Sequence, residues 1–435
     1  MLGDKRFLRT IQLSNLLSFH HMEEPIEANS LNVLIGPNGS GKSNFIEAIG
    51  LLQAVPKDLV EPVREGGGIS EWLWKGSEKT PIVEIDVTVD YPGGIMPLRH
   101  RLSFTMVGQR FEVVDEAIEN ERPQSETQDE VYFFYRYQGG RPVLKVSSSL
   151  IPLAPPGYEE EQPGRKPESN KNLLALAAPS DHPVFRYRRT ERSLPRAELA
   201  ADQSILSQRK DPDQYPEITY LGNEYSKIRL YREWNLGRYT PPRKPQQADL
   251  PEDFLEPDAR NLGLVLNDLE HHGTKKVLLE KLGVFSDAIS DYSTKIRGGT
   301  VQIFLHEKGL NQPIPATRLS DGTLRYLCLL TLLCHPEPPP VLCIEEPELG
   351  LHPDILPTIA ELLIDASHRC QLFVTTHSDI LIDSLSKVPE AVIVCEKREG
   401  ATSLRRLKAE DLSEWLEKYS LGTLWRRGDL GGNRW

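Results

Sequence analysis

Leu31-Asn32-Val33-Leu34-Ile35-Gly36-Pro37-Asn38-Gly39-Ser40-Gly41-Lys42-Ser43-Asn44 is the stretch that decides the fold. An apolar strand runs straight into a glycine-rich loop. The loop opens a segment, residues 44–52, in which Phe45, Ile46, Ile49 and Leu52 share one face at helical spacing. Strand, loop and helix in that order are the context a phosphate-binding loop needs. Gly36, Gly39 and Gly41 put no Cβ in the way, so successive backbone N–H groups can cradle phosphates. Lys42 offers a positive charge to the β- and γ-phosphates and Ser43 a hydroxyl to Mg2+. The helix points its positive end at the same place. Asn38, Ser40 and Asn44 complete the nucleotide-binding set.

Two further segments lie far along the chain. Leu319-Ser320-Asp321-Gly322-Thr323 precede an apolar helix at 324–333, and Ser320 and Gly322 sit at an N-terminus suited to an anion. The run Val341-Leu342-Cys343-Ile344-Glu345-Glu346-Pro347-Glu348 is a buried strand ending in carboxylates. Glu345 is placed to reach Mg2+, directly or through water, and Glu346 to orient and deprotonate an attacking water. Glu348 has the plainer reading of a cap or ion-pair partner. In Thr375-Thr376-His377-Ser378, after the next strand, His377 can donate a hydrogen bond to a γ-phosphate. Together these segments point to ATP bound between two copies of the chain, with Glu346, His377 and Lys42 as catalytic groups and Ser43 and Glu345 at the metal.

Around these motifs the chain changes character. Residues 324–333 and 356–366 read as helices that alternate with strands at 341–344, 371–375 and 391–395. That alternation predicts a mainly parallel sheet covered on both faces. Val83, Ile85, Val87 and Val89 alternate with polar residues, and strand-like runs follow at 98–106, 111–114, 131–137 and 142–146. Gly139-Gly140 reads as a hairpin turn, and residues 154–171, rich in Pro, Gly, Glu and Lys, as a flexible loop. Residues 190–285 read as mostly helical, apart from a proline-bearing loop at 240–249. The expected fold is therefore α/β: a P-loop NTPase core assembled from residues 1–54 and 311–435. A β-rich lobe at 55–189 and a mainly helical insertion at 190–310 complete it.

Composition bounds the rest. With 435 residues the chain can bury more than one core. No N-terminal apolar region resembles a signal peptide, and no apolar run is long enough to span a bilayer. The expected place is the cytoplasm, with no membrane partner. The five cysteines have no CxxC spacing and read as small buried hydrophobes. A net charge of −12 excludes a protein coated for nucleic acid, and leaves a local patch or a partner for such contact.

The motif set resembles the ABC-type ATPase heads of the SMC/RecF group, in the branch of predicted AAA-type ATPases that includes the ATPase halves of OLD nucleases. Residues 8–19 resemble that group's first strand and turn, 36–43 its Walker A, and 319–323 its signature. Residues 344–348 resemble its Walker B, 348–353 its D-loop and 376–378 its H-loop. The middle of the chain resembles the group only in placement. Asp321 stands where many such proteins carry a second glycine, and Glu345 where an aspartate is expected. The group's Q-loop glutamine has no clear counterpart; Gln53 and Gln109 are the candidates. The resemblance implies a homodimer or higher even oligomer, paired head to tail around ATP and Mg2+ and loosened by hydrolysis.

It also implies a switch for a separately encoded effector, a nuclease in anti-phage defence or DNA repair. No Toprim nuclease domain is expected in this chain. A transporter ATP-binding subunit is a competing reading, against which the long span between Walker A and signature argues. A non-hydrolysing scaffold is another, against which Lys42, Glu346 and His377 argue. Phe185-Arg186-Tyr187-Arg188-Arg189, with Arg192 and Arg196, reads either as a nucleic-acid patch or as solvated residues paired with local acids. The tail from Trp425 to Trp435 reads as docking on a partner or on its own body.

Overall fold

In the computed structural model, which describes residues 6–123, 130–138, 141–152, 185–194 and 199–431, the apolar runs of both chain ends meet in one six-stranded sheet. Its order is Arg229–Tyr231, Val341–Glu345, Gln371–Thr376, Leu31–Ile35, Val392–Arg398 and Ala401–Arg406. The first five strands are parallel, and the last returns as a hairpin. Because side chains alternate across a strand, these runs feed two cores. Leu34, Cys343, Phe373, Ile393 and Cys395 pack on one face, with Phe45, Ile46 and Ile49 of the helix Lys42–Ala54. Val33, Ile35, Leu342, Ile344, Leu372 and Val374 pack on the other, against the helices Asp321–Leu333 and Leu356–Ala366. Burial on both faces explains why these strands read as unbroken apolar runs.

A nine-stranded antiparallel sheet closes over the first core. Its strands include Leu8–Leu16, Val83–Val89, Leu98–Val107, Arg110–Asn120, Phe133–Gln138, Arg141–Pro152 and Phe185–Ser193. The opening strand thus pairs with Val83–Val89 and not with the strand before the P-loop. Two strands, Arg110–Asn120 and Arg141–Pro152, run longer than the alternation predicts; in the first, burial continues through Ala117 and Ile118, past the clean period. The basic cluster lies on the edge strand Phe185–Ser193, and Arg192 is exposed. Arg196, Gly139-Gly140 and residues 154–171 fall outside the described residues.

Between 199 and 310 the helices are Ile205–Gln208, Pro216–Ser226, Leu262–His271 and Lys275–Phe285. Prolines 241, 242, 245, 251 and 257 keep the stretch between the middle two free of α-helix, apart from a short 3-10 turn at Pro241–Arg243, since each lacks an N–H and disfavours the preceding helical turn. A small antiparallel sheet built on Ile289–Arg297 and Thr300–Glu307 packs beside them. The tail through Gly431 lies on the chain's own body. Leu421 N–H donates to Ser386 Oγ at 2.9 Å, Arg426 donates to Asp379 at 2.8 Å, and Leu430 is buried. All five cysteines are free, and four of them are buried. Burial pushes the thiols of Cys328, Cys370 and Cys395 up to about 12. Among the described residues no helix is long and apolar enough to cross a membrane.

Candidate functional site

The P-loop crosses from the end of the Leu31–Ile35 strand to the helix at Lys42 with Gly36, Gly39 and Gly41 all at positive φ. Space is limiting at two of them. A Cβ on Gly36 would lie 2.3 Å from the carbonyl oxygen of Cys395, and one on Gly41 would lie 2.1 Å from Thr402 Oγ1. Asn38 and Gly39 stand exposed at the tip, whereas Ser40 and Lys42 are buried. The hairpin strand Ala401–Arg406 supports the loop from the side. Thr402 Oγ1 donates to Ser40 O at 2.9 Å, and Asn44 Nδ2 donates to Ser18 Oγ at 2.8 Å.

Lys42 Nζ donates to Gly36 O at 2.9 Å and Pro37 O at 3.1 Å, so the ammonium sits within the loop's own curl. Burial lowers its pKa from the ordinary lysine value; Cys395 and the carboxylates of Glu346, Glu345 and Glu348 partly offset this. Ser43 Oγ donates to Glu345 Oε2 at 2.7 Å, joining residues 302 positions apart. The register explains the meeting: Thr375 pairs with both Glu345 and Leu34, so the Walker B and P-loop strands end at nearly the same level.

Glu346 turns out of the sheet with φ 47°, a left-handed conformation rare for a residue with a side chain. Its N–H donates to Thr375 O at 3.0 Å, and its Oε1 lies 3.5 Å from His377 Nε2. Glu348 holds the histidine's turn: Oε1 accepts from Thr376 Oγ1 at 2.6 Å and from His377 N–H at 2.8 Å. The pairs Ser43–Glu345 and Glu346–His377 therefore stand next to one another at the strand ends, with Lys42 beside Ser43 on the loop.

The signature stands apart. Among the described residues no hydrogen bond joins Ser320–Thr323 to the P-loop of the same chain. Ser320 Oγ caps its helix by accepting from Thr323 N–H at 3.0 Å. A Cβ on Gly322 would lie 2.9 Å from Gly350 O, so the signature packs on the D-loop backbone. The loop at 240–249 supplies an anchor that nothing in its composition announces. Buried Arg243 donates to Leu236 O at 2.7 Å, Ala316 O at 3.3 Å and Leu319 O at 2.5 Å, and pairs with Asp321. Arg243→Ala is expected to cost about 3 kcal/mol, because several buried carbonyls lose their donor. Denaturant unfolding checks this, and an unchanged midpoint would remove Arg243 from the role of anchor.

Four other groups reach the site. Thr402 and Ser18 brace the P-loop, and Arg325 donates to Glu346 O at 3.3 Å. Arg232 Nε donates to Glu345 Oε1 at 2.6 Å, and its NH1 lies 3.4 Å from Glu47 Oε1. Burial works against the charge of this guanidinium, but Glu345 and Glu47 hold its pKa above the ordinary arginine value. Gln53 is engaged elsewhere: its Nε2 donates to Ile228 O at 2.6 Å. Gln109 lies in the turn between the strands Leu98–Val107 and Arg110–Asn120.

The donor set suits a magnesium nucleotide. The glycine positions leave the backbone open where a Cβ would collide, a buried ammonium faces inward, and one hydroxyl and one carboxylate stand together. Among the described residues no group of three or more His, Cys, Asp or Glu could hold a metal unaided, so Ser43 and Glu345 would share the ion with phosphate oxygens.

The solved structures support the same fold. An Smc head bound to the C-terminal winged-helix domain of ScpA aligns with a TM-score of 0.55 at 14% identity, covering 93% of this chain and 99% of that one. An Smc head with an extended coiled coil, bound to the C-terminal domain of ScpA from Pyrococcus furiosus, gives a TM-score of 0.51 at 11% identity. It covers 95% of this chain and 99% of that one. No curated protein matches the sequence. The profile of one family matches residues 31–383, from the strand before the P-loop to the helix after His377. The chain belongs to that family of AAA-type ATPase domains, described as "AAA domain, putative AbiEii toxin, Type IV TA system".

Proposed function

We propose that this chain is a magnesium-dependent ATPase whose nucleotide state switches its pairing with a second copy. The observation that carries the reading is the hydrogen bond of 2.7 Å between Ser43 Oγ and Glu345 Oε2, with Glu346 and His377 beside it. Gly36, Asn38, Gly39, Ser40, Gly41, Lys42, Ser43 and Asn44 would bind the nucleotide, and Ser43 and Glu345 the metal. When bound, magnesium offsets charge on the β- and γ-phosphate oxygens. Glu346 accepts a proton from the attacking water. His377 would donate a hydrogen bond to the γ-phosphate and, 3.5 Å from Glu346 Oε1, would hold that carboxylate in line.

Ser320 caps the helix Asp321–Leu333, Gly322 lies in its first turn, and its exposed N-terminus is left for a partner's nucleotide. Two chains paired head to tail would each complete the other's site. Loss of the γ-phosphate would loosen the pair. The solved Smc heads carry a bound ScpA domain. By that analogy this chain would control a separately encoded effector, a nuclease, in anti-phage defence or DNA repair. The family description, which names a toxin–antitoxin system, supports a defence setting over a transport one.

ATP should drive the Glu346→Gln variant to an even-numbered oligomer, measured by light scattering. Adding Ser320→Arg should abolish that change while the chain's own P-loop still binds ATP. An unchanged mass for Glu346→Gln with and without ATP would overturn nucleotide-driven pairing.

A further inference from the structure

Arg232 belongs to no motif, yet it reaches the centre of the site. It follows the short strand Arg229–Tyr231, which joins the edge of the parallel sheet beside the Walker B strand. The register pairs Tyr231 with Ile344, so the next residues, Arg232 and Glu345, emerge side by side. The strand is fastened from beneath: Gln53 holds Ile228 O, and a Cβ on Gly50 would lie 3.1 Å from Leu230 Cδ2. Beyond Arg232, Trp234 stacks on Tyr231 at 5.5 Å, and Arg325 lies over the Trp234 ring at 5.8 Å. The segment that carries Arg232 is thus held on both sides of it.

Glu345 uses its two oxygens differently. Oε2 accepts from Ser43, on the metal side, and Oε1 accepts from Arg232. The carboxylate is shared between the place of a divalent cation and a resident one. Glu47, on the P-loop helix, is the second partner of the same guanidinium. Counting Glu47, Glu345 and Arg232 together, this corner carries a net charge of −1.

We propose that Arg232 is a built-in counter-cation of the metal carboxylate and thereby sets how strongly nucleotide binding depends on magnesium. It is a positioning residue, acting through Glu345, and the proposal rests on the ATP-binding reading above. With the guanidinium present, the corner tolerates a nucleotide without its metal. Without it, two uncompensated carboxylates repel the bare phosphates and attract the divalent ion more strongly. Both changes move the same quantity, the ratio of the dissociation constant in EDTA to that in magnesium.

The test is equilibrium binding of a fluorescent ADP to the full chain, in EDTA and in magnesium chloride, so that no turnover intervenes. Arg232→Gln should raise the ratio by about tenfold, the size expected for removing one charge a few ångströms away at a partly exposed site. Arg232→Lys keeps the charge and should stay close to wild type. Glu47→Gln removes a carboxylate and should shift the ratio the other way, which keeps the idea testable if Arg232→Gln fails to fold. A ratio unchanged in both Arg232→Gln and Glu47→Gln would overturn the inference while leaving the ATP-binding reading intact. Absence of nucleotide binding by the wild-type chain in either buffer would overturn both.

Discussion

Glu346→Gln is expected to slow ATP hydrolysis by on the order of a hundredfold or more while ATP stays bound. The amide keeps the size of the carboxylate and loses the ability to take a proton from water. The hydrogen bonds of the cradle are untouched: Lys42, Ser43 and Glu345 keep their partners. The left-handed backbone at Glu346 is set by the hydrogen bond of its N–H to Thr375 O, which the substitution leaves in place. Phosphate release under single-turnover conditions, with ATP affinity measured on the same preparation, separates the two effects. Wild-type turnover in the variant would remove Glu346 as base. His377, 3.5 Å away, would then be the next residue to replace.

Lys42→Ala should weaken ATP binding by about a thousandfold, the order of one close ion pair at intermediate dielectric. The ammonium is buried, donates to two carbonyl oxygens, and its pKa is lowered chiefly by burial. Phosphate oxygens would be better partners than either carbonyl. Without the lysine, Glu345, Glu346 and Glu348 remain around the cradle and repel the phosphates. Calorimetric titration with magnesium ATP checks this, alongside a melting curve to show that the variant is folded. An affinity within a few-fold of wild type would show that the backbone cradle alone holds the nucleotide.

The two variants differ in what they report. Glu346→Gln traps a bound state and so exposes the assembly step. Lys42→Ala removes the ligand and should leave the chain in its nucleotide-free association state. The same light-scattering measurement on both therefore brackets the switch.

Much of this site was readable along the chain because its parts are local. A phosphate cradle is made by consecutive backbone groups, so the spacing of Gly36, Gly39 and Gly41 announces it. The strand at Val341–Glu345 is buried on both faces, so its apolar run and the carboxylates at its end stand out. His377 follows a strand of the same kind. By contrast, Arg229–Tyr231 has only three residues, too few for a periodic signal, and it lies in a span that reads as helical. Arg243 sits among prolines that announce a loop and nothing about its target. Thr402 lies on a hairpin whose second strand is short and partly exposed.

What could be read along the chain is therefore the class of fold and the proposed site: a glycine-rich loop, a carboxylate pair, a histidine, and a parallel sheet drawn mostly from both chain ends. Each follows from covalent spacing or from the period of apolar residues, which act over a few positions. The tertiary structure alone decided which sheet the opening strand joins, what braces the P-loop, what anchors the signature, and which cation shares Glu345. Those are matters of register between distant segments. Arg232 meets Glu345 across 113 positions because two parallel strands end level, and Thr402 meets Ser40 across 362. No local pattern encodes such a meeting, since it exists only once both cores have closed around the same sheet.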